Sequence, residues 1–157
     1  MIHWWSGLGS FARSVRAFGC LSVLLVCAGC SGFNRDWKVA SRLPPPPGEL
    51  AGRWEGTWQS DVTGHTDRLR CLVTPGPAGG YWARFHARYH KLVSLSFGYT
   101  VPLTVTQTNG VAQFRGDADL GWLAGGLYHY EGHADKTDFF ATYHSQADHG
   151  TFRLIRP

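Results

Sequence analysis

The sequence predicts an all-β protein: a small antiparallel up-and-down barrel of about eight strands, which follows an N-terminal signal segment and a Pro-rich tether. From Leu50 onward, short β-rich runs alternate with turn residues, and no helical period persists for three turns. The pair Asn109-Gly110 lies between two runs rich in Val and Thr, which is a strong hairpin signal. Even strand spacing over residues 50–157 favours closure into a barrel, because closure removes exposed edges, and an open sandwich is the alternative.

The individual strands are recognised as hydrophobic runs that end at clusters of Gly, Pro, Asn, Asp and Ser. The densest of these clusters is Pro75–Gly80, and residues Leu120–Ala124 are predicted to form at most one helical turn or a corner. The candidate strands are Gly52–Gln59, Arg68–Thr74, Tyr81–His90, Leu92–Tyr99, Val101–Thr108, Val111–Asp117, Gly126–His133, Thr137–Ser145 and Thr151–Arg156.

The amino terminus has the layout of a secretory signal peptide. Arg13 and Arg16 precede an apolar run, which ends at the small residues Ala28-Gly29. The run of about 13 residues is too short for a membrane span, which needs roughly 20. We therefore expect residues 1–29 to be a signal peptide. Cleavage near Ala28 to give a plain secreted protein is the alternative to the processing described next.

The segment Ala28-Gly29-Cys30 resembles the lipobox of bacterial lipoproteins, in which the cysteine receives diacylglyceryl and becomes the new amino terminus. Cys27 departs from the pattern, since Leu is usual at that position. The resemblance implies lipidation of Cys30, attachment to a membrane through that lipid, and a location in the bacterial cell envelope. Ser31 follows the cysteine where a retention signal would have Asp, which favours the outer membrane. Cys71 is then the one thiol of the mature chain, and we expect it to be a core residue.

Residues 30–49 are expected to form a flexible tether that ends in the polyproline spacer Pro44–Pro47. Phe33 and Trp37 are its isolated aromatic residues. The whole chain has a formal charge of +4, and removal of the leader leaves thirteen Lys and Arg against eleven Asp and Glu. This balance is too mild for a nucleic-acid partner, and the chain has no basic run.

The first strand, Gly52-Arg53-Trp54-Glu55-Gly56-Thr57-Trp58, resembles the opening strand of calycin barrels, where lipocalins carry Gly-x-Trp and avidins carry Gly-Thr-Trp. In lipocalins this Trp closes one end of the barrel and is covered by an Arg near the last strand. The resemblance therefore implies barrel closure by Trp54 and Trp58, with Arg153 and Arg156 as the candidate covering residues. No biotin-binding residue is carried over.

The strand Tyr81–His90 alternates between an apolar face and a cationic face. The cationic face predicts a contact surface for a ligand or partner, formed by Trp82, Arg84, His86 and Arg88. The domain is also rich in aromatic side chains, which either fill the barrel or line a cup for a small apolar or aromatic ligand. We expect a binding or structural module whose partner is such a ligand or an envelope protein.

Two other functions stay open at the level of sequence. A metal-dependent enzyme could use cross-strand histidines, for example His129 or Glu131 with His144. Inhibition of a hydrolase is the other. The carboxylates are scattered and no serine lies in a nucleophile elbow, so we assign no catalytic residue, no metal ligand and no cofactor.

Overall fold

A computed structural model of the chain describes residues 32–44, 46, 48, 50–90 and 94–157. Eight antiparallel strands form a closed up-and-down barrel, in which each strand pairs with the next and β8 pairs with β1. This confirms the predicted fold class. The strands are β1 (Gly52–Ser60), β2 (Thr66–Pro75), β3 (Tyr81–His90), β4 (Ser94–Thr108), β5 (Val111–Asp119), β6 (Leu127–Ala134), β7 (Asp138–His144) and β8 (His149–Ile155).

The main difference from the predicted strands lies in β4. The candidates Leu92–Tyr99 and Val101–Thr108 are parts of one 15-residue strand, because Thr100 continues the pairing with β3 instead of forming a turn. Leu92 itself lies outside the described residues. The predicted hairpin at Asn109-Gly110 is confirmed, since both residues have positive φ angles, 53° and 78°, between β4 and β5. The predicted single turn is a 3₁₀ turn at Trp122–Ala124.

Part of the predicted tether is helical. Residues 32–40 form helix α1, which packs on the outer face of β2 and β3. Phe33 is only 3% exposed, and its ring stacks on His86 with centroids 4.9 Å apart. Phe33 and Trp37 lie on one side of the helix because residues four apart face the same way. The two aromatic residues are therefore packed rather than isolated.

Arginines of the outer face complete the contact with α1. The guanidinium of Arg70 lies 5.3 Å from the Phe33 ring and 5.2 Å from the Trp37 ring. Arg84 donates a hydrogen bond to Asp36 at 2.7 Å, and this bond, together with one from Arg35, lowers the pKa of the Asp36 carboxyl. The helix is thus held by aromatic stacking and by charge.

The signal peptide at residues 1–29 and Cys30 lie outside the described residues. The division of the chain into residues 1–29, 30–49 and 50–157 remains a prediction. Within the described part, no helix has the length and apolar character needed to cross a bilayer.

One end of the barrel is closed by Trp54, which is fully buried. Its Nε1 donates a hydrogen bond to the Leu50 carbonyl at 2.8 Å, and the guanidinium of Arg156 lies 3.9 Å from the ring centroid. Arg156 also donates to the Ala51 carbonyl at 2.6 Å. The other candidate, Arg153, lies outside the barrel, 5.0 Å from the ring of Phe140. Arg156 is therefore the arginine that covers this end.

The overlapping Gly-x-Trp units also allow β1 to approach β8 closely. A Cβ atom at Gly56 would collide with the backbone of Arg153 and Leu154 on β8. Glycine at this position lets the first and last strands meet, which is what barrel closure requires.

The half of the barrel next to Trp54 is packed solid. The Trp54 ring lies 5.5 Å from Phe139, and Phe139 lies 4.8 Å from Phe114, measured between centroids. Cys71 is fully buried in the same core, and burial raises the pKa of its thiol well above the usual value. It is a core residue, as the sequence suggested.

We predict that Arg156→Gln lowers the free energy of unfolding by about 1–2 kcal/mol, because it removes a cation–π contact and a hydrogen bond at the closed end. Urea unfolding followed by circular dichroism measures the change. Arg153→Gln is the matched control and should cost about 0.5 kcal/mol, because its contact with Phe140 is exposed to solvent. Equal losses in the two variants would contradict the assignment of Arg156 to closure.

We also predict that His86 makes stability depend on pH. Burial and the neighbouring Arg70 lower its pKa below 6.5, so the folded state binds fewer protons than the unfolded state in this range. Stability is therefore lost as pH falls from above 6.5 to the pKa of the folded state, and then levels off. Thermal unfolding between pH 7.5 and pH 5 should show a smaller acid-induced loss in His86→Gln. The control is His144→Gln, an exposed histidine whose side chain contacts the ring of His149 and no described carboxylate, and it should show the same acid-induced loss as the unsubstituted chain.

Candidate functional site: an aromatic cup

The half of the barrel away from Trp54 contains a cavity of about 630 Å³, which we call the cup. It opens at the end formed by the β1–β2, β5–β6 and β7–β8 connections. The sequence left open whether the barrel is filled or forms a ligand cup. In the structure, the half next to Trp54 is packed and the other half is hollow. The lining residues are Trp58, Leu69, Ala87, Tyr89, Phe97, Gly98, Tyr99, Asp119, Leu120, Ala124, Tyr128, Tyr130, Tyr143, Asp148 and Phe152.

The floor of the cup is a group of packed aromatic rings. Phe85 lies 5.3 Å from both Tyr99 and Phe152, and Tyr143 lies 5.1 Å from Phe152. These rings come from β3, β4, β7 and β8, where alternate residues point inward. The cup therefore presents flat apolar surfaces suited to stacking against a ligand.

Trp58 lies in the wall of the cup and not at the closed end. Its Nε1 donates a hydrogen bond to the Arg88 carbonyl at 2.9 Å, which joins β1 to β3 across the mouth. Its ring lies 6.1 Å from that of Tyr89. Trp54 therefore lies at the closed end and Trp58 in the cup wall, because four residues of a strand span about 13 Å.

One carboxylate, that of Asp148, has a fixed place in the cup wall. Its Oδ1 accepts a hydrogen bond from Ser60 at 2.7 Å, and its Oδ2 accepts one from the Tyr143 hydroxyl at 3.0 Å. Ser60 is only 1% exposed, so this arrangement is held by the core. A carboxylate has about four acceptor positions, and two remain for a ligand.

Three tyrosine hydroxyls of the cup, those of Tyr99, Tyr130 and Tyr143, stay protonated across the neutral range. Burial raises the pKa of Tyr99, Tyr130 and Tyr143, and the nearby charge of Asp148 adds to the effect at Tyr143. They are therefore hydrogen-bond donors and acceptors rather than bases. Their chemistry suits recognition of a ligand.

The mouth of the cup has an apolar rim. Trp122 and Leu123, on the β5–β6 connection, are 86% and 82% exposed. Phe97 lies on β4, which continues toward the mouth beyond Leu103, the residue at which its pairing with β5 ends. Pro102 is the next residue of β4 toward the mouth, and because proline has no N–H it cannot donate a hydrogen bond to a neighbouring strand. The cup wall is thus incomplete between β4 and β5, on the side where Phe97 lies.

The predicted contact surface is on the outside of β3 and is separate from the cup. Helix α1 covers His86 and pairs with Arg84, so these two residues already contact the chain itself. Trp82 is 39% exposed and Arg88 is exposed. Binding of a ligand or partner by these four residues stays a prediction.

The histidines named for a metal site lie on the outer surface. His129 pairs directly with His144, which pairs with His149. His129 also contacts Asp117 through Nδ1 at 2.6 Å. Glu131 lies two residues further along β6. Among the residues that the structure describes, no three His, Cys, Asp or Glu side chains converge on a point that could hold a metal ion.

Nothing in the sequence connects Asp148 with Ser60 or Tyr143. They belong to three different strands or connections, 88 and 5 positions apart along the chain. The sequence feature that came closest to predicting this site was the aromatic content of the domain. It indicated that rings could line a cup but did not show which rings do so.

In comparisons with known proteins, no family model, curated protein or solved structure matches this chain.

Proposed function

We propose that this chain is a lipid-anchored, calycin-like protein of the bacterial cell envelope, whose barrel binds a small apolar or aromatic ligand in the cup. The observation that carries the proposal is the hollow half of the barrel, about 630 Å³ and lined mainly by aromatic side chains. Pockets of this size and lining are typical of small-molecule sites. A barrel filled throughout would have favoured a purely structural role.

The chemistry of the lining describes the ligand. A flat apolar body would stack on Tyr99, Tyr130 and Phe152 at the floor. A hydrogen-bond donor on that body would reach the free acceptor positions of Asp148. The preferred ligand is therefore an apolar or aromatic molecule that carries at least one O–H or N–H group.

The anchoring part of the proposal rests on the sequence Ala28-Gly29-Cys30 and on the apolar run before it. Two or three acyl chains hold a protein firmly on a bilayer, since each buried methylene contributes about 0.8 kcal/mol. Anchored in this way, with the outer membrane favoured, the barrel would act on ligands of the envelope.

We predict that 2-naphthol, a neutral aromatic probe with one O–H, binds the full chain with 1:1 stoichiometry. Isothermal titration calorimetry in a non-ionic detergent, corrected by titration of detergent alone, measures the affinity. Phe97→Ala removes one ring from the wall and should weaken binding by about 2- to 10-fold, the usual worth of an aromatic contact.

Phe140→Ala is the matched control, because Phe140 lies on the outer face against Arg153 and does not line the cup. It should leave the affinity unchanged. Absence of 2-naphthol binding, or equal weakening in the two variants, would count against the cup as a binding site.

We further predict that Cys30→Ala releases the protein from membranes, because the acyl chains have no other attachment point. Fractionation of cells, with labelled palmitate as a tracer, measures both membrane association and acylation. Cys20→Ala, a change inside the leader, is the control and should remain lipidated. Membrane retention of Cys30→Ala that only detergent reverses would refute lipidation at Cys30.

A further inference from the structure

A second, smaller pocket of about 320 Å³ lies outside the barrel, between helix α1 and the outer face of β2, β3 and β4. It shares no lining residue with the cup. Its lining is almost entirely polar and mostly cationic: Asn34, Arg68, Arg70, His86, Arg88 and Ser96.

The pocket holds more positive than negative charge. Arg68 is paired with Glu55. Arg70 donates a hydrogen bond to the Asn34 side chain at 2.8 Å, which is a neutral partner. Among the residues described, Arg88 has no carboxylate partner. Three guanidinium groups therefore face one carboxylate, and an anion would balance the excess.

His86 provides an independent sign of a missing partner. The residue is only 7% exposed, and its Nε2 atom is buried without a hydrogen-bond partner among the described residues. Buried polar atoms in folded proteins nearly always have a hydrogen-bond partner, so we expect a ligand or a bound water to supply one for Nε2. The Phe33 ring stacks on one face of the imidazole, and His86 is one of the residues that line the pocket.

We propose that this pocket binds an oxyanion, and specifically a phosphate group, through Arg68, Arg70, Arg88 and His86. Guanidinium groups match phosphate oxygens with paired N–H donors. A bound anion would favour the protonated imidazole, so that Nε2–H donates to it. The volume exceeds that of a bare phosphate, so a phosphomonoester or phosphodiester also fits.

The position of the pocket in the chain suggests two sources for that phosphate. Asn34 follows Cys30 by four residues, a distance of at most about 14 Å for extended chain. Lipidation of Cys30, as proposed above, would hold the pocket near phospholipid headgroups. A free phosphate compound in the surrounding solution offers the same chemistry, and the two sources are separated below.

Isothermal titration calorimetry tests the proposal on the full chain in a non-ionic detergent. The probes are inorganic phosphate, sn-glycerol 3-phosphate and dihexanoyl phosphatidylglycerol, with zwitterionic dihexanoyl phosphatidylcholine for comparison. We expect inorganic phosphate to bind 1:1 with sub-millimolar affinity. Tighter binding of phosphatidylglycerol than of phosphate would support the site with a lipid headgroup as its ligand, and equal or weaker binding would support it with a free phosphate compound.

Arg88→Gln should weaken phosphate binding at least 10-fold. The protein should still fold, because the Arg88 side chain is exposed and has no acidic partner among the described residues. Arg115→Gln is the control: it removes the same charge from an exposed residue of β5, outside the pocket, and should leave the affinity unchanged. Equal weakening by the two variants, or no phosphate binding at all, would overturn the proposal. Binding of 2-naphthol is independent of this result, because the cup and the pocket share no residue.

Discussion

The contact between Arg156 and Trp54 joins the two ends of the domain at the place where the meander has to close. Trp54 belongs to the first strand, and Arg156 directly follows the last. Without closure, β1 and β8 would each present an unpaired edge, and the core beneath Trp54 would meet water. The guanidinium satisfies a backbone carbonyl and covers an indole face at once, so one residue seals both the polar and the apolar part of this end.

The closed end also explains why the opposite end can remain hollow. Trp54, Phe139 and Phe114 fill one half of the barrel with large rings and supply a continuous core there. The remaining rings form a floor and a wall, and β4 continues past its pairing with β5. A barrel of eight strands has an interior just wide enough for side chains or one small ligand, and this chain uses both arrangements in its two halves.

Strand β3 serves two surfaces of different chemistry. Ala87 and Tyr89 point into the cup, whereas His86 and Arg88 line the cationic pocket on the outside. Because successive residues of a strand point to opposite faces, the apolar residues face the cup and the charged residues face outward. The inner surface is mainly aromatic and its charged groups are carboxylates, whereas the outer pocket carries arginines. The proposed ligands differ accordingly: an apolar molecule with a hydrogen-bond donor in the cup and an anion in the pocket.

Much of the fold could be predicted from the sequence, because strand periodicity and turn chemistry are local properties. The Asn109-Gly110 turn and the two faces of β3 are examples, and each rests on neighbours within ten residues. The split of β4 into two strands was wrong, because Thr100 gave no local sign that pairing with β3 would continue. The cup was anticipated only as one of two alternatives.

The contacts that form the sites depend on residues far apart in the chain. Ser60 and Asp148 meet only because closure brings β1 beside β8, and Phe33 reaches His86 only because α1 folds back on the barrel. Periodicity shows which side of a strand a residue occupies but not which strand lies across from it. The sequence by itself therefore determined most of the strands and the two faces of each, because both follow from local periodicity. Tertiary packing decided which arginine covers Trp54, which half of the barrel stays hollow and where the arginines of the outer face come together.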